Sequence, residues 1–195
     1  MKQMLKETLV IVLITLFAGL ALGVVYEITK EPIEKQQIIA KQKALKAVFA
    51  DADEFVEKEI NENSFKSENA DLDELYTACD ATDNVIGYVM IITAHNGYGG
   101  DITFALGITK AGKTNGISIT SINETAGLGM NAKSVLVPQF KDKTVEAFVV
   151  TKQEPVLMEH IEAISGATIT TDAITGAVNA GLDYYYNELG GADNE

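Results

Sequence analysis

The chain has 195 residues, one Cys, no Trp and three Pro, with 28 acidic residues against 15 basic ones, all of them Lys. The resulting net charge of −13 argues against nucleic-acid binding, which needs a basic face to displace counterions from phosphates. An apolar share of 47% excludes wholesale disorder. A lone Cys79 cannot form an intramolecular disulfide, and His95 and His160 stand apart, so no metal site is expected.

The first element is the run Leu9 to Tyr26, LVIVLITLFAGLALGVVY, eighteen residues without a charge. As a helix rising ~1.5 Å per residue it is about 27 Å long, close to the ~30 Å hydrocarbon thickness of a bilayer. Lys2 and Lys6 precede it, and Glu27, Glu31 and Glu34 follow it among Lys30 and Lys35. The positive-inside rule then places residues 1–8 in the cytoplasm and the rest beyond the cell membrane. Ala21-Leu22-Gly23 also offers a passable signal-peptide cleavage site. A retained single-pass anchor over residues 9–26 is the preferred reading, because the apolar run exceeds the usual ~7–15-residue signal core.

Pro32 opens a second helical pattern, with Ile38, Leu45, Val48 and Phe49 at helical spacing and Pro close to the first turn. Residues 50–74 are acidic and weakly patterned, so 27–74 reads as a helical connector followed by an exposed stretch. A domain over 75–195 follows. Its β-like runs cover 75–79, 85–94, 101–109 and 116–123, punctuated by Asp83-Asn84, Gly97 to Gly100, and Ala111 to Gly116. A short helix is expected in NAKSVLVPQF, a strand in TVEAFVVT, and a final helix over 170–189. Tight turns between neighbouring strands imply mostly antiparallel pairing with helices gathered to one side: an α+β fold.

Gly107 to Thr114, GITKAGKT, satisfies the phosphate-loop spacing GxxxxGK[ST]. That motif works only where a helix begins at its Lys, and here Asn115-Gly116 and an alternating strand follow, so a hairpin turn is the better reading. His95 reads as a hydrogen-bonded structural residue and Cys79 as a small apolar filler. Tyr184, Tyr185 and Tyr186 read as packing and surface residues. No nucleophile elbow is present, and no catalytic residue is assigned.

Ile164 to Asp172, ISGATITTD, stands before an amphipathic helix carrying Ile174, Ala177, Val178, Leu182 and Tyr185. Thr170 or Thr171 is suited to be its N-cap, with Asp172 in the first turn. A hydroxyl ahead of a helix N-terminus lies where free N–H groups favour an anion, and Gly166 and Ala167 leave room for a bulky group. These residues therefore suit a phosphate near Thr168, although on these grounds alone a plain capped helix start is the preferred reading.

The stretch SGATIT resembles the flavinylation motif of the RnfG/NqrC family, membrane-anchored subunits of ion-translocating redox complexes. Gly97-Tyr98-Gly99-Gly100-Asp101-Ile102 resembles the family's GYGGxI turn, and Glu124 to Gly129, ETAGLG, its ETPGLG loop, with Ala126 in place of Pro. Gln139-Phe140-Lys141 is similar to its QFxGK stretch, with Asp142 in place of Gly. The resemblance implies a mostly antiparallel FMN-binding domain behind a transmembrane helix, with FMN joined by a phosphoester to Thr168. Ser165, Gly166, Ala167 and Thr170 would surround that linkage. Tyr98, Gly99, Gly100, Gly127 and Gly129 would let backbone approach the cofactor. Glu124 and Thr125 would hydrogen-bond its polar atoms, and Leu128 or Met130 would supply an apolar wall. The implied partners are the lipid bilayer, the other membrane and peripheral subunits of an Rnf complex, and a flavin transferase that makes the attachment. The chain would then relay electrons in a ferredoxin:NAD oxidoreductase complex coupled to Na+ or H+ export. The NqrC component of a Na+-translocating NADH:quinone reductase and a cofactor-free membrane-tethered binding domain are the alternatives.

Overall fold

A computed structural model describes residues 2–61 and 64–190. The outermost positions of the expected cytoplasmic segment and domain, residue 1 and residues 191–195, lie outside the described residues, as do 62–63 of the acidic stretch. The chain divides into two units, Met1–Ala40 and Lys41–Glu195.

The described residues of the first unit are all helical. The helix α1 runs from Lys2 to Val48, so the apolar run and the connector are one element, and Pro32 sits inside it rather than in a first turn. An interior Pro removes one backbone hydrogen bond and costs about 3 kcal/mol. Strong helix formers follow it, in EKQQIIAKQKALKA. An i,i+4 pair from Lys35 to Glu31, at 2.6 Å, brackets the Pro. The side chains of residues 9–26 are all exposed, as a helix long enough to cross a membrane presents them. Ile38, grouped with Leu45, Val48 and Phe49 by its spacing, is exposed; the buried positions begin at Ala44.

The second unit is built on a five-stranded antiparallel meander in the order β1-β2-β3-β4-β5. The strands are β1 (Glu54–Lys58), β2 (Ala70–Cys79), β3 (Val85–Ala94), β4 (Ile102–Thr109) and β5 (Thr114–Ile122). The sheet therefore starts upstream of residue 75. The acidic stretch holds a whole edge strand, EFVEK, whose Glu54, Glu57 and Lys58 face water while Phe55 is half-buried. Charge on an edge strand blocks unwanted pairing and also erases the alternation by which a strand is recognised.

Alternate side chains feed two cores, as the period-two geometry of strands requires. Leu75, Met90, Ile92, Phe104 and Leu106 point to one face, where Ile174, Ala177, Val178 and Leu182 of the last helix cover them. Tyr76, Ala78, Val89, Ile91 and Ala105 point to the other, covered by Ala44, Leu45, Val48 and Phe49. Helical segments thus lie on both faces of the sheet, not on one. Val48 sits so close to Gly107 that a β-carbon there would lie 2.7 Å from its Cβ. Lys41 adds a 3.0 Å ion pair to Glu74 of β2.

After β5 come a helical turn at Gly129–Asn131, α2 (Ala132–Val135) and a second turn at Val137–Phe140. A parallel pair follows, β6 (Val149–Thr151) with β7 (His160–Glu162). The strand expected over TVEAFVVT is reduced to three residues. Asn179 takes both backbone groups of Phe148, at 2.7 and 2.9 Å, and leaves none for strand pairing. The last helix, α3 (Thr168–Glu188), buries Tyr184 and Tyr185 and leaves Tyr186 half-buried. Cys79 is buried and free.

Candidate functional site

The strand register aligns Ala70, Ala94, Ile102 and Ile122 across one end of the sheet. The loop after β3 and the loop after β5 both leave from this end. In the first loop a β-carbon on Gly99 would overlap the carbonyl oxygen of Asn123, so the two loops lie backbone against backbone. The Gly99 N–H donates to Glu124 Oε1 at 3.3 Å and steadies a carboxylate that is only 9% exposed.

The start of α3 forms the third side. Thr168 is its first residue and Ala167 its N-cap, with no side chain capping it. The chain enters through Gly166 at φ 77°, with the Ala167 N–H donating to the Ile164 carbonyl at 2.9 Å. Thr171 braces this turn from inside: its hydroxyl accepts from the Ile164 N–H at 3.1 Å and donates to the Ala167 carbonyl at 3.0 Å. These bonds correct the expected cap. Neither Thr170 nor Thr171 is the N-cap, because both are drawn into the fold within the first turn, and the helix begins before them. Asp172 accordingly falls beyond the first turn and is exposed.

These segments enclose a cleft of about 470 Å³ lined by Tyr98, Glu124, Thr125, Leu128, Gly129, Gly166, Ala167, Thr168, Ile169 and Thr170. That volume suits a small-molecule ligand. Thr168 is half-buried, with the free N–H groups of the helix start beside it. Thr170 Oγ1 is buried with no hydrogen-bond partner among the described residues. The floor between Thr170 and Glu124 is Gly129. A β-carbon there would lie 2.7 Å from Thr170 Oγ1 and 2.8 Å from Glu124 Oε2.

Four implied residues are not on the wall. Gly99 acts through Glu124; Gly100 (φ 123°) and Gly127 (φ 78°) shape their turns; Ser165 is exposed beside the cleft. Met130 is likewise off the wall, and Leu128 is the apolar residue present, its Cδ2 3.1 Å from where a β-carbon on Gly166 would stand. Ile169 lies inside the SGATIT stretch, but the resemblance gives it no role. It is 53% exposed on the first turn of a helix, where the amphipathic pattern calls for a polar residue, and that mismatch is the signal that could have found it.

His95, just outside the cleft, is hydrogen-bonded as expected: Nε2 meets Asp71 at 3.0 Å and Nδ1 meets Asp101 at 3.1 Å. Asp71 first, then Asp101, raises its pKa. The phosphate-loop look-alike is a β4–β5 turn, closed by the Thr109 N–H to the Lys113 carbonyl at 2.8 Å, and it runs into β5 rather than a helix.

Comparison with known proteins identifies the family. The FMN-binding domain family matches residues 97–183, and the RnfG N-terminal region matches residues 1–48. The G component of the proton-translocating ferredoxin:NAD(+) oxidoreductase complex of Clostridium ljungdahlii is 33% identical over 175 residues, 89% of this chain and 87% of that protein. Its counterpart in the Na(+)-translocating complex of Acetobacterium woodii is 31% identical over 195 residues, 95% of this chain and 93% of that protein. Among solved structures, the C component of the Na(+)-translocating NADH-quinone reductase of Parabacteroides distasonis aligns with a TM-score of 0.59. That alignment covers 81% of this chain and 96% of the other at 18% identity, a likeness of fold alone. Identity sustained along nearly the whole chain makes this protein a member of the RnfG family, a component of ion-translocating ferredoxin:NAD oxidoreductase complexes.

Proposed function

We propose that this chain is the membrane-anchored flavoprotein of an ion-translocating ferredoxin:NAD oxidoreductase complex, with FMN joined by a phosphoester to Thr168. The observation that carries the reading is the half-buried Thr168 hydroxyl at the start of α3, opening into a cleft floored by glycine and walled by Leu128 and Tyr98. FMN fits this site on the chemistry of its parts. A phosphate on Thr168 Oγ1 meets the free N–H groups of the first helical turn, and the helix dipole favours its charge. Tyr98, Leu128 and Ile169 offer apolar surface to a flat ring. Crowding at Gly97, Gly99 and Gly129 marks three positions where any side chain would displace neighbouring atoms. When attached, the flavin accepts electrons and passes them on, and the protein contributes position and environment.

The anchor supports the same reading. Residues 9–26 would span the bilayer, with the Lys-bearing N-terminus in the cytoplasm and the domain outside. A cofactor lost on that side is not replaced from a cytoplasmic pool, so a permanent link keeps the site filled. A separate flavin transferase would make the link, leaving this chain the acceptor in that step. Membrane and peripheral subunits of the complex would supply and receive the electrons.

Intact mass spectrometry of the full chain, coexpressed with a flavin transferase, tests the attachment. The wild type is expected to carry one phosphoester-linked FMN and Thr168→Val none. A wild type that is always bare, or a Thr168→Val protein that keeps flavin after denaturation, overturns it.

A further inference from the structure

The loop between β6 and β7 has the wrong composition for a connection in water. Residues 152–159 read KQEPVLME, with none of the Gly, Asn, Asp or Ser that turns favour, and Pro155 to Met158 form an unbroken apolar run. Val156 is 84% exposed, and Leu157 and Met158 are each more than half exposed. Val149 of β6, likewise exposed, is joined to the same loop, its N–H donating to the Glu159 carbonyl at 2.9 Å. The base of the loop is held firmly. Asn179 takes both backbone groups of Phe148 ahead of β6, and Gln139 takes both of Glu162 at the end of β7, at 2.7 and 3.1 Å. The His160 N–H donates to the Leu157 carbonyl at 3.2 Å, and Ile161 between the two clamps is wholly buried. Parallel strands belong where both faces are covered, yet this pair leaves Val149 in water.

We infer that the β6–β7 loop docks into another component of the ion-translocating complex, one that offers an apolar groove with Lys or Arg at its rim. This rests on membership of the complex and not on the attachment at Thr168. Charge decides between the occupants. Glu154 and Glu159 bracket the apolar run and Glu162 follows, against an exposed Lys152; Lys143 nearby donates to the His160 carbonyl at 3.3 Å. A second copy of this chain would set these carboxylates against one another across a two-fold axis. Segments that lie in a lipid surface carry Lys and Arg at their polar edge, not Glu. A protein groove with a basic rim matches both the apolar tip and its charge. Pro155 and the clamped base limit the freedom lost on docking, so a short loop can serve as an anchor. From Glu162 the chain reaches Gly166, on the wall of the cleft, in at most about 14 Å, so the docked component is a neighbour of the site.

The test uses the full chain within the complex in native membranes, with a benzophenone side chain placed at Leu157. Illumination is expected to join it to another component of the complex, at an apolar segment with Lys or Arg beside it, as read by mass spectrometry. Adducts only with lipid, adducts only with a second copy of this chain, or no adduct each overturn the inference. A target segment without basic residues overturns it as well. With the same probe, Glu154→Lys is expected to lower the yield about fivefold, the scale of one reversed rim charge, while Lys152→Glu does not lower it. Equal yields for the two charge changes overturn the basic rim. Both altered side chains are exposed, so thermal midpoints are expected to stay near wild type. Should a charge variant fail to fold, the identity of the Leu157 adduct in the otherwise unaltered chain decides.

Discussion

The two ends of the five-stranded sheet both carry glycine- and threonine-rich turns, and only one of them forms a site. At the far end, Asp80 binds the backbone and side chain of Thr82 and Asn84 within its own turn. The Thr109 N–H and the Thr114 hydroxyl there also find acceptors. At the near end, Thr170 Oγ1 has no partner among the described residues and Glu124 accepts one backbone N–H. The far end holds the better match to a phosphate-loop string, yet a helix begins only at the near end. A turn whose side chains are spent on its own backbone offers little to a ligand. What marks a ligand site is polar capacity left open beside glycine-sized space.

The largest expected effect comes from making one change at both ends. Thr168→Val is expected to abolish the attached flavin while thermal stability stays near wild type, because Thr168 is half-buried and its side chain donates no hydrogen bond among the described residues. Thr114→Val leaves the flavin in place and destabilises the protein. Thr114 is wholly buried, donating to the Phe140 carbonyl at 2.6 Å and accepting from the Lys143 N–H at 3.3 Å. Stranding those groups costs about 1–3 kcal/mol. Denaturation midpoints with intact mass on both variants check the exchange of effects; a bare Thr114→Val protein that folds would break the contrast.

A glycine pair sharpens it. Gly129→Ala puts a methyl 2.7 Å from Thr170 Oγ1 and 2.8 Å from Glu124 Cβ. Overpacking there is expected to cost about 1–3 kcal/mol and to push the two side chains apart. Gly112→Ala, in the far hairpin, has its nearest neighbour at 3.4 Å, so its cost is the left-handed φ of 76° alone, about 1–2 kcal/mol. Urea titrations are expected to give comparable losses for the two, while flavin anisotropy falls only for Gly129→Ala.

Some of this is legible in the sequence and some is not, for physical reasons. Strand β3 is readable end to end because Val85 to Ala94 is apolar on both faces and bounded by turn residues. Strand β1 is not, since an edge strand with charges on both faces looks like an acidic linker. The pattern starts α3 too late because Thr171 is the residue type that caps helices. Only tertiary bonds to Ile164 and Ala167 show it braced inside the turn. The three segments of the cleft are recognisable from their motifs, and Thr168 among them. That Gly99 supports Glu124, and that Thr170 is left unpaired, depends on loops meeting across the end of a sheet, which no local pattern records.

The smallest expected effect is electrostatic, and it runs in opposite directions at the two ends. Asp80 in the far turn has its pKa lowered to about 2, chiefly by the Thr82 hydroxyl and then by the backbone N–H groups of Thr82 and Asn84. A depressed carboxylate pKa means that its support is present above the unfolded value near 3.8 and is lost as pH falls through about 2. His95 at the near end has its pKa raised from 6.5 by Asp71 and Asp101, so its support is full below 6.5 and fades as pH rises through the higher folded value. Both groups lie at the surface and salt screens them, so the expected changes are local. Amide-exchange protection, corrected for intrinsic rates, should fall in acid around Thr82 and Asn84. Around Asp101, at the root of the Tyr98 loop, it should fall as pH rises through the raised pKa of His95. Asp80→Asn is expected to erase the first inflection only and His95→Gln the second only. A single inflection shared by both ends would mean that the sheet, rather than each turn, sets local stability.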